Sequence, residues 1–366
     1  MSDALPEKMT AVVTMGVGGH EQLQIRQIPV PVVGPQEVLL RVLAAGINNT
    51  DINTRVGWYD TAAADGGDQT AAPGGYNGAT VFPLIQGADC CGIVVAAGSD
   101  VAAAPLGRRV LVRSCMIGSG GRYEARWLGT DCDGAFAEYV VVPATEVFPV
   151  ESGWSDAELA TMPCSYGTAE NMVQRSQLGS GDRVLVTGAS GGVGSAVVQL
   201  ARRRGADVIA VASSQKHDAM RALGAAHVVD RGADLRTVLD GERIDVVFDN
   251  VAGPGFNSAL EILRPGGSYV TSGAIAGPVV ELDLRTLYLH DLRLIGTTTW
   301  DDEVFADVVS YVERDEIRPV LAATFPLSEI VAAQEHFRSG SRVGNVVLLP
   351  PASTDVGAVH ERAITD

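Results

Sequence analysis

The sequence is short of the residues that crosslink a chain, ligate metals or carry positive charge. It has five cysteines, Cys90, Cys91, Cys115, Cys132 and Cys164. The number is odd and no Cys-x-x-Cys pair occurs, which argues against a disulfide framework and a four-cysteine zinc site. Cys90 and Cys91 are neighbours, so in a strand they point to opposite faces and make a poor metal pair. The expectation is a set of reduced, packed thiols. Histidines are few and scattered: His20, His217, His227, His290, His336 and His360 fall in no catalytic pattern and receive no role. No run approaches the roughly 18 apolar residues of a membrane span. The N-terminus "MSDALPEKMTAVV" lacks the basic start and apolar run of a signal peptide. These absences point to a soluble cytoplasmic protein with no membrane partner. Basic residues are also scarce: 27 Lys and Arg face 44 Asp and Glu, a net charge of −17. That balance opposes nucleic-acid binding, which requires phosphate neutralisation. It favours solubility and still permits a local basic pocket.

Apolar mass is present: 46% of 366 residues are hydrophobic, enough for one large or two medium domains. The first 150 residues read as β-rich. "AVVTM", "EVLLRVLAAG", "GIVVAAG", "RRVLVRS" and "AEYVVVP" are short apolar runs bounded by Gly or Pro. Two insertions interrupt them, at 61–80 and 115–133. Long loops on a rigid β scaffold are often binding elements. Near Ser155 the pattern changes. "SDAELATMPCSYGTAENMVQRSQL" predicts helix broken near Pro163. From Gly181 buried strands alternate with helices, from "RVLVTG" to "SYVTSG", and "LRLIGTT" adds one more strand. That succession predicts an α/β fold with a doubly wound parallel sheet. "DEVFADVVSYVERDEI" reads as an amphipathic helix and "VVLLP" as a final strand.

The run "RVLVTGASGGVGSAVVQLARRRG" carries the most specific chemistry. A buried strand enters a turn with Gly188, Gly191 and Gly194 at three-residue spacing, with Gly192 beside them, and the turn opens a helix. Side chains there would keep a diphosphate from the backbone N–H groups, and the helix start adds partial positive charge. Ser190 and Val193 complete the turn. At the head of five β/α alternations, the pattern predicts a dinucleotide site. A dinucleotide with a bare ribose calls for Asp or Glu at the end of the next strand. Here "DVIAVAS" ends in Ser213, Ser214, Gln215 and Lys216. Two hydroxyls and an ammonium suit a 2′-phosphate, so the expected cofactor is NADPH. The alternative for Lys216 is a solvated lysine that starts the next helix.

With these motifs in place, the chain resembles the medium-chain dehydrogenase/reductase superfamily over almost its whole length. The early β region, "GASGGVG", "LRPGGSYVTSG" and "VGNVVLLP" carry the likeness. The resemblance implies a GroES-like catalytic domain formed by residues 1–151 and 299–366, around a Rossmann domain at 152–298. It places the active site in the cleft between them. Many members hold catalytic zinc through a cysteine after "AG-hydrophobic" and a His-Glu pair. This chain has Asn48 at the first position, and Ala88 and Asp89 at the pair. Without Cys or His there, a metal lacks its usual ligands, and no zinc is expected.

The stretch "AGINNTDINTRVGWYD" places Asn48, Asn49, Thr50, Asp51, Asn53 and Thr54 in what reads as a polar loop, closed by Gly57, Trp58 and Tyr59. It is similar to the zinc-independent branch, the quinone oxidoreductases and 2-enoyl thioester reductases. Their run is Asn-x-Ser/Thr-Asp followed by Gly-x-Tyr. The resemblance implies that Asn48 lies near the nicotinamide, that Asp51 orders the loop and that Tyr59 is the proton donor. Asp51 could equally be a turn cap, and Tyr59 a rim aromatic. Further cofactor contacts carried over are Thr168 in "PCSYGTAEN", Asn250 and Val251 at the end of the fourth strand, Gly273 and Ala274 at the end of the fifth, and Asn345 in the return segment. The implied activity is NADPH-dependent, metal-free hydride transfer to a quinone or an activated C=C bond of a small-molecule substrate. Alternatives are a metal-free alcohol or carbonyl oxidoreductase and a non-catalytic NADPH-binding protein. Relatives that join Rossmann sheets edge to edge make "LRLIGTT" the candidate seam of a homodimer.

Overall fold

The computed structural model describes residues 5–59, 78–117 and 121–351. Most of the 61–80 insertion, three residues of the second insertion, the C-terminal tail and His360 lie outside these residues. The N-terminal lobe comprises β1 (Lys8–Thr14), β2 (Leu23–Pro29), β3 (Glu37–Ile47), α1 (Asn49–Arg55), β4 (Leu84–Ile85), β5 (Cys91–Ala97), β6 (Arg109–Val112), the hairpin β7 (Cys115–Met116) and β8 (Arg126–Trp127), β9 (Tyr139–Pro143) and β10 (Val147–Pro149). Two helices, α2 (Asp156–Leu159) and α3 (Pro163–Ser176), lead out of it. The break falls where proline opens the second helix, since its missing N–H is lost at no cost in a first turn.

The second lobe alternates β11 (Arg183–Val186), α4 (Gly192–Arg203), β12 (Asp207–Ala212), α5 (His217–Ala222), β13 (His227–Asp230), α6 (Leu235–Leu239), β14 (Ile244–Phe248), α7 (Phe256–Glu261), β15 (Leu263–Thr271), α8 (Leu284–Leu289) and β16 (Arg293–Gly296). The chain then adds α9 (Glu303–Glu313), β17 (Leu321–Pro326), α10 (Ile330–Arg338) and β18 (Asn345–Leu349). The six strands of the second lobe form one parallel sheet in the order β13-β12-β11-β14-β15-β16. The fold is α/β, with a GroES-like lobe beside a Rossmann-type sheet. Strand β18 returns to pair antiparallel with β3, Val346 opposite Ile47, and β17 pairs with β18.

The structure differs from the sequence expectations in several places. The polar stretch after β3 is a helix, α1. Asn48 is extended at its N-cap position, and the Asp51 carboxylate accepts the Asn48 N–H at 2.7 Å. Short polar residues that look like loop thus satisfy the orphan donors of a helix start. Buried Arg55 ends the helix by donating to Gly18 O and Gln334 Oε1, each at 2.8 Å. Elements β2, β17, α8 and α10 were not anticipated. Strand β15 begins at Leu263, ahead of Pro265, with a register shift against β14 that accommodates the proline and two glycines. Cys90 and Cys91 do point to opposite faces: Cys90 packs in the core of the β lobe, and Cys91 in the core shared with α3.

Candidate active site

Strand β3 ends at Ile47 and delivers Asn48, buried, to the N-cap of α1. The Asn48 carboxamide donates through Nδ2 to Asp89 Oδ2 at 2.7 Å. The other Asp89 oxygen accepts the Cys164 N–H from the first turn of α3 at 2.6 Å. Asp51 accepts N–H bonds from Asn48 at 2.7 Å and Gly87 at 3.2 Å. Both carboxyls are fully buried, and burial pushes their pKa values up to about 7. Burial, then the nearby Asp89 and Asp51, hold the Cys164 thiol well above its ordinary range. The residues at the family's metal position therefore do not fit zinc. An amide stands where a thiolate is needed, Ala88 offers no donor, and the nearby thiol resists ionisation. Among the described residues no group of three or more His, Cys, Asp or Glu could hold a metal ion.

The glycine turn between β11 and α4 fits a dinucleotide phosphate. Gly188 adopts φ +55°, a left-handed conformation open to glycine. A Cβ on Gly194 would lie 2.3 Å from Gly188 O, so helix and turn meet backbone to backbone. Gly191 is the N-cap of α4, with Gly192 and Val193 in its first turn. At Gly192 a Cβ would lie 2.2 Å from Asn345 Oδ1 and 2.4 Å from Ser165 Oγ. Asn345 is buried behind the turn and donates to Thr161 O and Ser165 Oγ at 2.7 and 2.8 Å. It braces the phosphate turn from behind.

Lys216 Nζ lies 3.1 Å from Ser190 Oγ and 2.6 Å from Gly340 O. Burial, followed by the like charges of Arg342 and Arg231, lowers its pKa. Arg342, over the Phe337 ring, is itself pushed down to about 10 by burial. Both arginines were missed in the sequence because they approach Lys216 from the end of β13 and from the loop before β18. The Ser213 and Ser214 hydroxyls, at the end of β12, have no partner among the described residues. The structure thus gathers Ser190 and Lys216, flanked by Ser213 and Ser214, beside one end of the turn.

The other end of the sheet opens into a cleft of about 570 Å³. Trp58, Tyr123 and Trp127 line one side, and segments 271–274, including Gly273 and Ala274, and 296–299 the other. Asn250, after β14, accepts from the Ser272 N–H and hydroxyl at 2.9 and 2.8 Å. Val251 follows and donates its N–H to Asp249 Oδ1 at 2.8 Å. Thr168 lies half-buried on α3, beside Cys164. Tyr59, half-buried, sits edge-on to Trp58 with ring centroids 5.2 Å apart, and its hydroxyl lies 3.5 Å from Thr50 Oγ1. This arrangement can hold an extended dinucleotide along the strand ends, with its reactive end toward the aromatic cleft. Trp58 lines that cleft with Tyr59 packed against it, whereas Asn48, Thr168, Asn250 and Val251 are not among the described residues that line it.

Comparison with known proteins agrees with this architecture. The alcohol dehydrogenase GroES-like domain family matches residues 34–152, and the zinc-binding dehydrogenase family residues 192–314. A structural-genomics target from Sinorhizobium meliloti 1021, assigned to the alcohol dehydrogenases, is 45% identical with a TM-score of 0.89, over 94% of this chain and 98% of that one. The acryloyl-coenzyme A reductase of Metallosphaera sedula is 29% identical over 93% of this chain and 99% of its own length. The 2-octenoyl-CoA carboxylase reductase CinF of a Streptomyces species, solved with NADP and 2-octenoyl-CoA, is 26% identical with a TM-score of 0.83, over 95% and 88% of the two chains. Among the described residues no helix is long and apolar enough to cross a membrane. The fold, the glycine turn and these likenesses together lead to one conclusion: the chain is an oxidoreductase and belongs to the medium-chain dehydrogenase/reductase superfamily.

Proposed function

We propose that the protein is an NADPH-dependent, zinc-independent reductase of activated C=C bonds, with quinones as a second acceptor class. The observation that carries the reading is the Asn48–Asp89 hydrogen bond, in which a carboxamide donates to a buried carboxyl at the position where relatives hold a metal. Relatives that act on acryloyl- and octenoyl-CoA support the substrate class. Bound NADPH would supply the hydride. The chain's own residues do the rest. Thr168, Asn250, Val251, Gly273 and Ala274 line the nicotinamide side. Polar groups around Asn48 stabilise the charge that develops on the substrate oxygen. Tyr59 donates a proton toward the α-carbon, and the apolar walls exclude water.

The test is NADPH turnover with a panel of quinones, enones and enoyl thioesters, with and without a chelator. Enone or thioester reduction unchanged by chelation is expected. Activity lost on chelation and restored by zinc would overturn the metal-free reading, and alcohols as the only substrates would overturn the C=C reading. No turnover at all would leave a binding protein.

Cofactor choice rests on Lys216 and its serines. Losing one charge-assisted contact costs roughly 1.5–3 kcal/mol, about ten- to a hundredfold in affinity. Lys216→Glu is expected to weaken NADPH by that factor and NADH far less, measured by fluorescence titration of both cofactors. Equal losses would remove Lys216 from 2′-phosphate recognition.

We also propose a division into a catalytic domain, 1–151 with 299–366, and a nucleotide domain, 152–298. It is supported by β17 and β18 completing the sheet of β3. A homodimer joined along β16 fits the same reading. Strand β16 is an edge strand, and Leu294 on it is exposed, as are Val279, Leu284, Tyr288 and Leu289 in the connection that leads to it. Light scattering at micromolar concentration should give twice the chain mass; a monomeric mass would refute the seam.

A further inference from the structure

Helix α3 carries Thr168, Met172 and Arg175 at spacings of four and three, which place them along one face. That face is turned to the strand ends. Met172 Sδ lies 3.4 Å from Ser272 Oγ and 3.7 Å from Asn250 Nδ2. One turn on, Arg175 reaches the cleft wall. It is the single charged residue among the described residues that line the cleft. Among the described residues its guanidinium has no hydrogen-bond or ion-pair partner, whereas the arginines of the neighbouring structure are engaged: Arg122 with Asp301, and Arg204 with Glu170. The hydroxyls of Thr298 and Thr299 on the same wall are likewise without partners among the described residues.

A partly buried, unpaired guanidinium is a standing demand for an anion, because its fork matches a carboxylate or phosphate with two parallel hydrogen bonds. The cofactor's own phosphates do not meet that demand. The diphosphate turn follows β11, and Lys216 follows β12, whereas Arg175 faces the ends of β15 and β16. At about 4.8 Å per strand, β16 stands roughly 14 Å from β11 and roughly 19 Å from β12. A chain with net charge −17 repels anions over most of its surface, so a cation inside the cleft is a local exception that selects for them.

We propose that Arg175 is the anion anchor of the substrate cleft, and that the substrate is an activated alkene carrying a carboxylate or a phosphate. This rests on the C=C reductase reading and adds the charge of the substrate to it. Thr298 and Thr299 supply further donors to the same group, and Trp58 and Tyr123 cover the apolar body.

The experiment compares 3-benzoylacrylate, its methyl ester and crotonyl-CoA as substrates of the wild type, Arg175→Gln and Arg175→Lys, with NADPH saturating. The Gln variant is expected to raise KM for an anionic substrate roughly ten- to a hundredfold while kcat and the ester's KM stay put. Lysine should restore part of the loss. A defect confined to the free acid identifies a carboxylate as the anion, and one confined to crotonyl-CoA identifies a phosphate. Unchanged KM for both anionic substrates, or an equal loss on the ester, overturns the anchor. If none of the three is reduced, the reductase reading fails by itself. Calorimetric binding of 3-benzoylacrylate then decides the anchor: tighter binding to wild type than to Arg175→Gln supports it, and equal or absent binding overturns it.

Discussion

Tyr59→Phe is expected to slow reduction of an enone or enoyl thioester by at least tenfold, and by as much as about 10⁴, while NADPH binds normally. The range is that of a positioned general acid. Phenylalanine keeps the ring and its edge-on contact with Trp58 at 5.2 Å, and removes only the hydroxyl that lies 3.5 Å from Thr50 Oγ1. A packing defect is thereby separated from a chemical one. Quinone reduction should suffer less, because the reduced oxygens of a quinone take protons from water without a placed donor. The measurement is turnover of one substrate of each kind by wild type and variant, with cofactor affinity alongside. An unchanged enone rate at saturating NADPH would remove Tyr59 from the chemistry and leave the Asn48 region and bound water as proton sources.

Trp300→Ala should be the most damaging single truncation for stability. Trp300 is fully buried where the two lobes meet. Its ring stacks on Phe305 of α9 at 6.0 Å and meets Trp127 of the β7–β8 hairpin edge-on at 5.7 Å. On its third side is α3, so close that a Cβ on Gly167 would lie 2.2 Å from the indole. Removing a buried tryptophan costs about 3–5 kcal/mol, and the space it leaves lies between three elements. Denaturant unfolding should show a matching loss in the free energy of unfolding. A loss under 1 kcal/mol would mean that the lobes repack. Because Trp127 also lines the cleft, KM for the alkene should rise as well.

The second lobe was legible in the sequence because its requirements are local. A strand, a glycine turn and a helix must follow one another within a few residues, with Gly188 in a left-handed conformation and Gly194 where a Cβ would meet the Gly188 carbonyl. The first lobe was less so. Helix α1 is written in Asn, Thr and Asp, residues that serve turns and helix caps alike, and only the fold of Asp51 back to the Asn48 N–H distinguishes the two. Strand β17, "LAATFP", is small and exposed along one face, without the β-branched run of a buried strand, and owes its place to pairing with β18. Within the site, the loss of metal ligands was readable at Asn48 and Ala88. What replaced them was not, because Asn48 and Asp89 are 41 residues apart. Arg175 and Arg342 carry no sequence signal at all. Their meaning comes from what faces them: an uncharged cleft wall for one, Lys216 for the other.

The return of the last strand has a mechanical consequence. Gly344 donates its N–H to Ser190 O at 3.0 Å, and Asn345 wedges between Thr161 and Ser165 behind Gly192. The phosphate turn of one lobe is therefore bolted to the final strand of the other. If the lobes pivot to open the cleft, this bolt would be the axle and the widest travel would fall at the opposite rim, where Trp58 and Tyr123 are 42% and 79% exposed. Substrate can then come and go through the swinging end while the dinucleotide phosphates stay near the axle, where displacement is smallest. Turnover would be gated at the aromatic rim and cofactor retention at the bolt, two functions at opposite ends of one lever.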